Sequence, residues 1–386
     1  MSGPAARRII YFDHGATSWP KPQPVMDAVV RAMTEAGGNP GRGAHTLALA
    51  AARTVLEARS SVARLLGVPD SRDVIFTPGC TYALNLALKG LLKRGDRVVV
   101  SSMEHNACVR PLAWLQTAGV KLAVVQADAE GRVDPDAVER AVMAAPTAAV
   151  VCQHASNVTG TIQPVGDFAD IAHAAGALMI VDGAQGGGHL ELDLPALGAD
   201  VYAISGHKGL LGPQGSGVLY LAPGVEPREL VQGGSGGSSG KAEMPKERPD
   251  RYEAGTAATP ALAGLGAGAA FLLERGASLR AEERRLTRLL IEGLAGIEKM
   301  TVLGPPPAEE RVPVVSVTHA HVPADRVAFE LDQRYGIAVR AGHHCSPWAH
   351  QSVGTGETGA VRFSIGWGLA EDDVAEAIAA TAEVCA

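Results

Sequence analysis

Cysteine is scarce and unpaired in this chain: five residues, at positions 80, 108, 152, 345 and 385, odd in number and without a CxxC spacing. That argues against a disulfide scaffold and against a structural zinc site, and no metal is expected. A reducing, cytoplasmic setting fits such usage best. Long apolar runs are missing as well. No uncharged stretch approaches the roughly 20 apolar residues that span a bilayer. The opening MSGPAARRIIYFDHGAT carries Arg7 and Arg8 with no long apolar run behind them, unlike a secretory signal. Nor is there a basic block or an aromatic-interleaved stripe: 34 Lys and Arg are mixed with 41 Asp and Glu, for a net charge of −7. Nucleic acid and membrane are therefore not expected partners.

What is there is a large globular chain. Its 386 residues, 46% hydrophobic, exceed the usual single-domain size and can bury a sizeable core, so two domains in one subunit are expected. From about residue 45 to 222 helical patterns alternate with short apolar strands. Strands are expected at 73–77, 97–101, 121–126, 148–153, 177–181, 201–205 and 217–221. Helices are expected at 48–66, 82–92, 111–119, 134–144, 165–175. Such alternation implies an α/β fold with a doubly wound, mainly parallel sheet.

After residue 260 the texture changes to helices at 261–275, 278–296 and 371–384, with strands near 312–318, 337–340 and 360–365. This reads as a smaller α+β domain completed by the N-terminal arm. The expected division is 15–255 for the large domain, and 1–14 with 256–386 for the small one. The Gly/Ser segment 233–240 reads as a surface loop, with a lid as the alternative. No internal repeat is found.

Ligands in doubly wound sheets bind beyond the carboxyl ends of the strands. Polar and Gly-rich residues cluster there five times, at 77–81, 101–106, 154–157, 182–185 and 205–208. Lys208 follows a buried strand within SGHKGLLGPQG; a desolvated lysine loses part of its preference for the charged form and can act as a nucleophile. Asp182 ends the apolar strand ALMIVD, where it is either a cap or the carboxylate that keeps a pyridoxal nitrogen protonated. In this order, each at a strand end, the two residues point to pyridoxal 5'-phosphate.

The TPGCT turn at 77–81 leads into a helix whose free N–H groups suit a phosphate, although Thr81 could equally be an N-cap. His105 could stack on a pyridine face. Cys345, in RAGHHCSPW with Arg340 close in sequence, sits in a polar, partly cationic loop of the kind that raises the thiolate fraction. Arg362, in VRFS, could pair bidentately with an amino-acid carboxylate or form an ordinary ion pair. Cys152 reads as a small buried hydrophobe.

Together these stretches resemble the class V aminotransferase family and, within it, the cysteine desulfurases of the SufS-like group (group II). The likeness runs nearly end to end, through YFDHGAT, RGAH, TPGCTYALN, MEHNA, SNVTGT, VDGAQ, SGHKGLLGPQGSGVLY, RYEAGT, VRAGHHCSP and VRFS. The resemblance implies a fold-type I homodimer that turns L-cysteine into L-alanine, leaving a persulfide on Cys345 for an acceptor protein or reductant. Lys208 is then the lysine that holds the cofactor, Asp182 the pyridinium partner, His105 the stacking, proton-handling imidazole and Gln185 the donor to the ring hydroxyl. Cys80, Thr81, Ser205 and His207 look like phosphate contacts, and Thr256 like a residue reaching the neighbouring subunit's phosphate. Asn157, Arg340 and Arg362 look like substrate-side residues.

His14 and Gly15 replace the more usual Asn-Ala, Cys80 stands where threonine is common, and Asn106 and Cys108 alter the customary HHAN run. The short stretch between Arg340 and Arg362 implies a persulfide of limited reach that a dedicated acceptor must approach. The alternatives are an L-selenocysteine lyase, another class V lyase or aminotransferase, and a non-catalytic sulfur-transfer partner.

Overall fold

The computed structural model describes residues 8–41, 43–235, 240–306 and 308–386. Arg42 of the RGAH stretch and residues 236–239 of the Gly/Ser segment lie outside the described residues. In chain order the elements are β1 (Ile10–Tyr11), α1 (Gln23–Glu35), α2 (Thr46–Leu65), β2 (Val74–Thr77), α3 (Cys80–Leu91), β3 (Arg97–Ser101), α4 (Asn106–Thr117) and β4 (Lys121–Val125). Next come α5 (Pro135–Met143), β5 (Ala149–Gln153), α6 (Val165–Ala174), β6 (Leu178–Asp182), β7 (Val201–Ser205), β8 (Gly217–Leu221) and α7 (Thr259–Ala295). The last are β9 (Met300–Val302), β10 (Val314–His319), α8 (Ala324–Glu330), β11 (Ile337–Ala338), β12 (Arg340–Gly342), α9 (Pro347–Ser352), β13 (Ala360–Ser364) and α10 (Glu371–Cys385).

Seven strands form one sheet in the order β2-β8-β7-β6-β5-β3-β4. Only β8 runs antiparallel to its neighbours; the other pairings are parallel. The inner strands are apolar on both faces and fully buried, as in AVVCQ of β5 and VYAIS of β7, because helices cover both sides of the sheet. β4, at one edge, begins with exposed Lys121, a charge that discourages edge-to-edge pairing. Two apolar cores result, one on each face of this sheet.

A second sheet, β12-β13-β10-β9, is antiparallel throughout, and β1 pairs in parallel with β11 beside it. Phe12, Val315, Phe363 and Val374 belong to the third core, so the N-terminal arm packs with the C-terminal elements.

All seven expected strands of the large sheet are present, and three other elements differ from the sequence reading. The helices expected at 261–275 and 278–296 are one, α7. Gly276 does not break it, since the turns on either side are anchored in different cores: Leu262, Leu265, Ala269 and Leu272 in one, Leu286, Leu290, Ile291 and Leu294 in another. Tertiary burial here outweighs the weak helix propensity of glycine. α4 starts at Asn106, ahead of Pro111, because the His105 Nδ1 atom caps it by accepting from the Ala107 N–H at 3.0 Å. The strand expected at 337–340 is split between β11 and β12, which join different sheets.

Candidate active site

The parallel strands β3, β5, β6 and β7 end side by side, and the N-terminus of α3 points toward the same place. α3 reaches it because Gly217 on β8 has no side chain: a Cβ there would lie 2.5 Å from Gly79 Cα. The cavity they enclose has a volume of about 210 Å³. Its wall includes Cys80, Thr81, His105, Asn157, Asp182, Gln185, Ser205, His207, Lys208, Arg340 and Arg362, eleven residues singled out from the sequence. A larger cavity of about 850 Å³, lined by Asp128, Arg132, Gln163 and Glu310 among others, holds none of them.

Two predicted residues are not in the wall. Thr256 is exposed and lines a separate cavity with Arg59, Phe76, Pro78 and Glu253. Cys345 is exposed at the rim, next to His344, which does line the cavity.

Asp182 ends β6 and is 3% exposed. Its Oδ1 accepts from the Ala184 N–H at 2.9 Å and from the Cys80 thiol at 3.4 Å, bonds that favour a fixed carboxylate. Cys80 is therefore turned toward Asp182 and the Ala203 carbonyl (3.3 Å), so a phosphate near α3 would meet its backbone N–H. Burial pushes the Cys80 thiol well above its ordinary range, with the Asp182 charge adding to the effect.

Lys208 stands three residues past the end of β7. Burial holds its pKa below the ordinary lysine value, against the opposing pull of Asp182. The turn around it is tight: Leu211 N–H donates to the Lys208 carbonyl at 2.9 Å and Gly212 N–H to the Gly206 carbonyl at 2.8 Å. From the other side the N-terminal segment grips the His207 carbonyl, through Ser18 N–H (2.9 Å), Thr17 Oγ1 (3.2 Å) and Lys21 Nζ (3.1 Å).

Burial lowers His105 to about 4, so its ring is neutral near pH 7. With Nδ1 accepting the α4 cap, its proton is on Nε2. Arg362 is 1% exposed; its Nη2 donates to Asp13 Oδ1 at 2.8 Å and its Nη1 to the Asn157 carbonyl at 3.1 Å. Arg340 Nη2 lies 3.6 Å from Cys345 Sγ.

Several participants were not singled out from the sequence. Asp13, which neutralises Arg362, lies in YFDHGAT, and that stretch was the available signal. Gly15 supplies the carbonyl that the Gln185 Nε2 atom donates to at 2.9 Å. Glu104, next to His105, is fully buried, and burial raises its carboxyl to about 8. Its Oε1 accepts from Ser101 Oγ at 2.6 Å and from the Gln153 N–H at 2.8 Å, tying β3 to β5.

The residues fit the cofactor expected from the sequence. Among the described residues, Gln185 Oε1 and His207 Nδ1 are buried without a hydrogen-bond partner and the α3 N-terminus has no side-chain cap, and a desolvated lysine shares the cavity with a carboxylate. Unsatisfied buried polar atoms on a cavity wall are what a polar ligand would complete. Among the described residues no cluster of three or more His, Cys, Asp or Glu is placed to hold a metal ion, and no helix is long and apolar enough to cross a membrane.

A doubly wound α/β sheet with a buried lysine and carboxylate at the ends of neighbouring strands narrows the class, and family comparison settles it. The chain belongs to the aminotransferase class-V family, which matches residues 10–376. It is 37% identical over 369 residues to a probable cysteine desulfurase of Methanothermobacter thermautotrophicus, covering 94% of this chain and 91% of that one. It is 32% identical over 349 residues to a cysteine desulfurase of Yersinia pestis, covering 88% and 84%. Among solved structures, the apo cysteine desulfurase of Thermococcus onnurineus superposes with a TM-score of 0.91 at 32% identity, over 98% of this chain and 94% of that chain.

Proposed function

We propose that this chain is a cysteine desulfurase of the SufS-like group, converting L-cysteine to L-alanine and leaving a persulfide on Cys345. The observation that carries the reading is the placement of an exposed cysteine, flanked by an arginine, at the rim of a cavity holding a buried lysine and an anchored carboxylate. Pyridoxal 5'-phosphate, when bound, supplies the electron sink that makes a Cα proton removable and a Cβ–S bond cleavable.

The chain's own residues would work as follows. Lys208 holds the cofactor and, with its pKa lowered by burial, moves the Cα proton. Asp182, fixed by Ala184 and Cys80, keeps the ring nitrogen protonated. His105 would face the ring as a neutral imidazole, with Nε2–H available. Gln185 serves the ring hydroxyl, while Cys80 (through its backbone), Thr81, Ser205 and His207 hold the phosphate. Thr256 would serve the neighbouring subunit's phosphate in a homodimer. Arg362, with Asn157 and Arg340 beside it, binds the substrate carboxylate; its Nε has no hydrogen-bond partner among the described residues.

The Cys345 thiolate, with the Arg340 cation nearby, attacks the substrate sulfur. An S–S bond forms as the Cβ–S bond breaks. That bond's electron pair stays with the carbon skeleton, which takes up protons and leaves as alanine. An acceptor protein or reductant then removes the sulfur. The division into a large domain (15–255) and a small one (1–14 with 256–386) belongs to the same reading, with α7 reaching from one core into the other.

The test is alanine release from L-cysteine with reductant present, comparing wild type with Cys345→Ala. Alanine from wild type alone, with persulfide detected on Cys345, is expected. Equal release from both would remove Cys345 from the reaction. No release from either, with the cofactor absorption band intact, would move the substrate elsewhere.

A further inference from the structure

The loop carrying Cys345 has an unfavourable backbone. His344 and Cys345 are consecutive non-glycine residues with φ of 51° and 60°, in the left-handed region where a Cβ crowds the neighbouring carbonyl. Such a conformation persists only where its surroundings impose it. Three bonds act directly: Asn157 Nδ2 donates to the His344 carbonyl at 2.8 Å, Ser346 Oγ donates to Asn157 Oδ1 at 2.7 Å, and Asn106 N–H donates to the Cys345 carbonyl at 2.9 Å.

A fourth support lies beneath the loop. His344 Nε2 is 3.3 Å from the Arg340 carbonyl, His344 Nδ1 is 3.1 Å from His350 Nε2, and His350 Nδ1 is 2.7 Å from Thr355 Oγ1. The two rings stack with centroids 5.2 Å apart, and both residues are buried, at 3% and 0% exposure. Burial lowers His344 to about 2 and His350 to about 4, so both are neutral near pH 7.

Neutrality and the fixed acceptor at one end settle the direction of every bond. A carbonyl only accepts, so His344 carries its proton on Nε2 and its Nδ1 must accept. His350 therefore donates from Nε2, and its own Nδ1 must accept. Thr355 is left as the donor, with the His350 carbonyl, at 3.4 Å, its more distant alternative.

We propose that Thr355, His350 and His344 form a one-way hydrogen-bond chain that holds the Cys345 backbone in its left-handed conformation and so fixes where the thiol meets the substrate sulfur. His350 and Thr355 are positioning residues in this scheme; neither lines the cavity. The effect on turnover rests on the reading of Cys345 as sulfur acceptor, whereas the chain itself is testable without that reading.

Two measurements on the holoenzyme separate the claims. Nitrogen-resolved NMR of ¹⁵N-histidine-labelled protein should show exchange-protected Nε2–H groups on both His344 and His350. A proton on Nδ1 of either ring, or rapid exchange of both, would overturn the chain whatever the enzyme's activity. In kinetics, Thr355→Val should lower kcat for alanine release about tenfold, with KM for L-cysteine and cofactor absorption unchanged, and should also lower the melting temperature because the buried His350 Nδ1 loses its donor. Thr355→Ser, which keeps the hydroxyl, should restore kcat to within about twofold. A rise in KM at constant kcat, or no rescue by serine, would reduce the hydroxyl to ordinary packing. If wild type releases no alanine, the desulfurase reading fails and the NMR result still decides the chain.

Discussion

Asp13 and Arg362 form an ion pair of 2.8 Å between residues 349 positions apart, on a guanidinium that is 1% exposed. Removing one partner of such a pair leaves the other charge buried without compensation, at a cost of about 3–5 kcal/mol. Asp13→Ala should therefore lower unfolding stability by that order, while Asp13→Asn, which keeps an acceptor oxygen, should lose less. Chemical denaturation of the three proteins checks this. A midpoint for Asp13→Ala equal to wild type would mean that Asp13 does not compensate the Arg362 charge.

The five cysteines should differ sharply toward an alkylating agent, since thiolate is the reacting form and access is required. Cys80, Cys108 and Cys152 are buried, and burial pushes all three thiols well above their usual range. Cys345 is exposed beside Arg340, and Cys385, half-buried at the C-terminal end of α10, is raised by burial. Brief treatment of the folded protein with iodoacetamide at pH 7.5 should label Cys345 first, Cys385 more slowly, and the other three only after unfolding. Peptide mass spectrometry gives the order. Early labelling of Cys80 would mean that the base of the cavity is open to the reagent.

The large sheet was legible because its strands are short apolar runs rich in β-branched residues, such as VIFT, RVVVS and LMIVD, each followed by a polar cluster. The same punctuation located most of the cavity wall, since ligand-binding residues gather where buried strands end. α7 was misjudged because Gly276 is a local signal, whereas the cores that anchor both halves of the helix are assembled from distant segments. The partnership of Asp13 with Arg362 and that of Asn157 with the Cys345 loop depend on register between elements far apart in the chain, which composition and periodicity do not encode. His350 and Thr355 had no motif to announce them. Their role emerges only when α9 places a second imidazole under His344.

Six histidines make stability depend on acidity. Burial lowers His105, His154, His207 and His350 to about 4, His14 to about 3 and His344 to about 2, all from an ordinary value of 6.5. Between pH 6.5 and about 4 the unfolded chain therefore binds protons at these positions that the native chain does not. Stability rises with pH wherever the unfolded state binds more protons. The histidine contribution is thus fully present above pH 6.5 and is lost as the pH falls toward 4. Glu104 works in the opposite sense. Its carboxyl, raised from 4.5 to about 8, binds a proton in the native state that the unfolded state has released, so its contribution is lost as the pH rises through 8. One carboxyl against six imidazoles leaves the histidines dominant between pH 5 and 6.5. Urea unfolding at pH 7, 6 and 5 should show the midpoint falling at each step, with more than one proton taken up on unfolding at pH 5.5. Replacing His154, whose Nδ1 lies 2.7 Å from the Tyr202 hydroxyl, with glutamine should make that dependence shallower by about one proton. A midpoint level from pH 7 to 5 would mean that these imidazoles titrate as freely in the folded protein as in the unfolded chain.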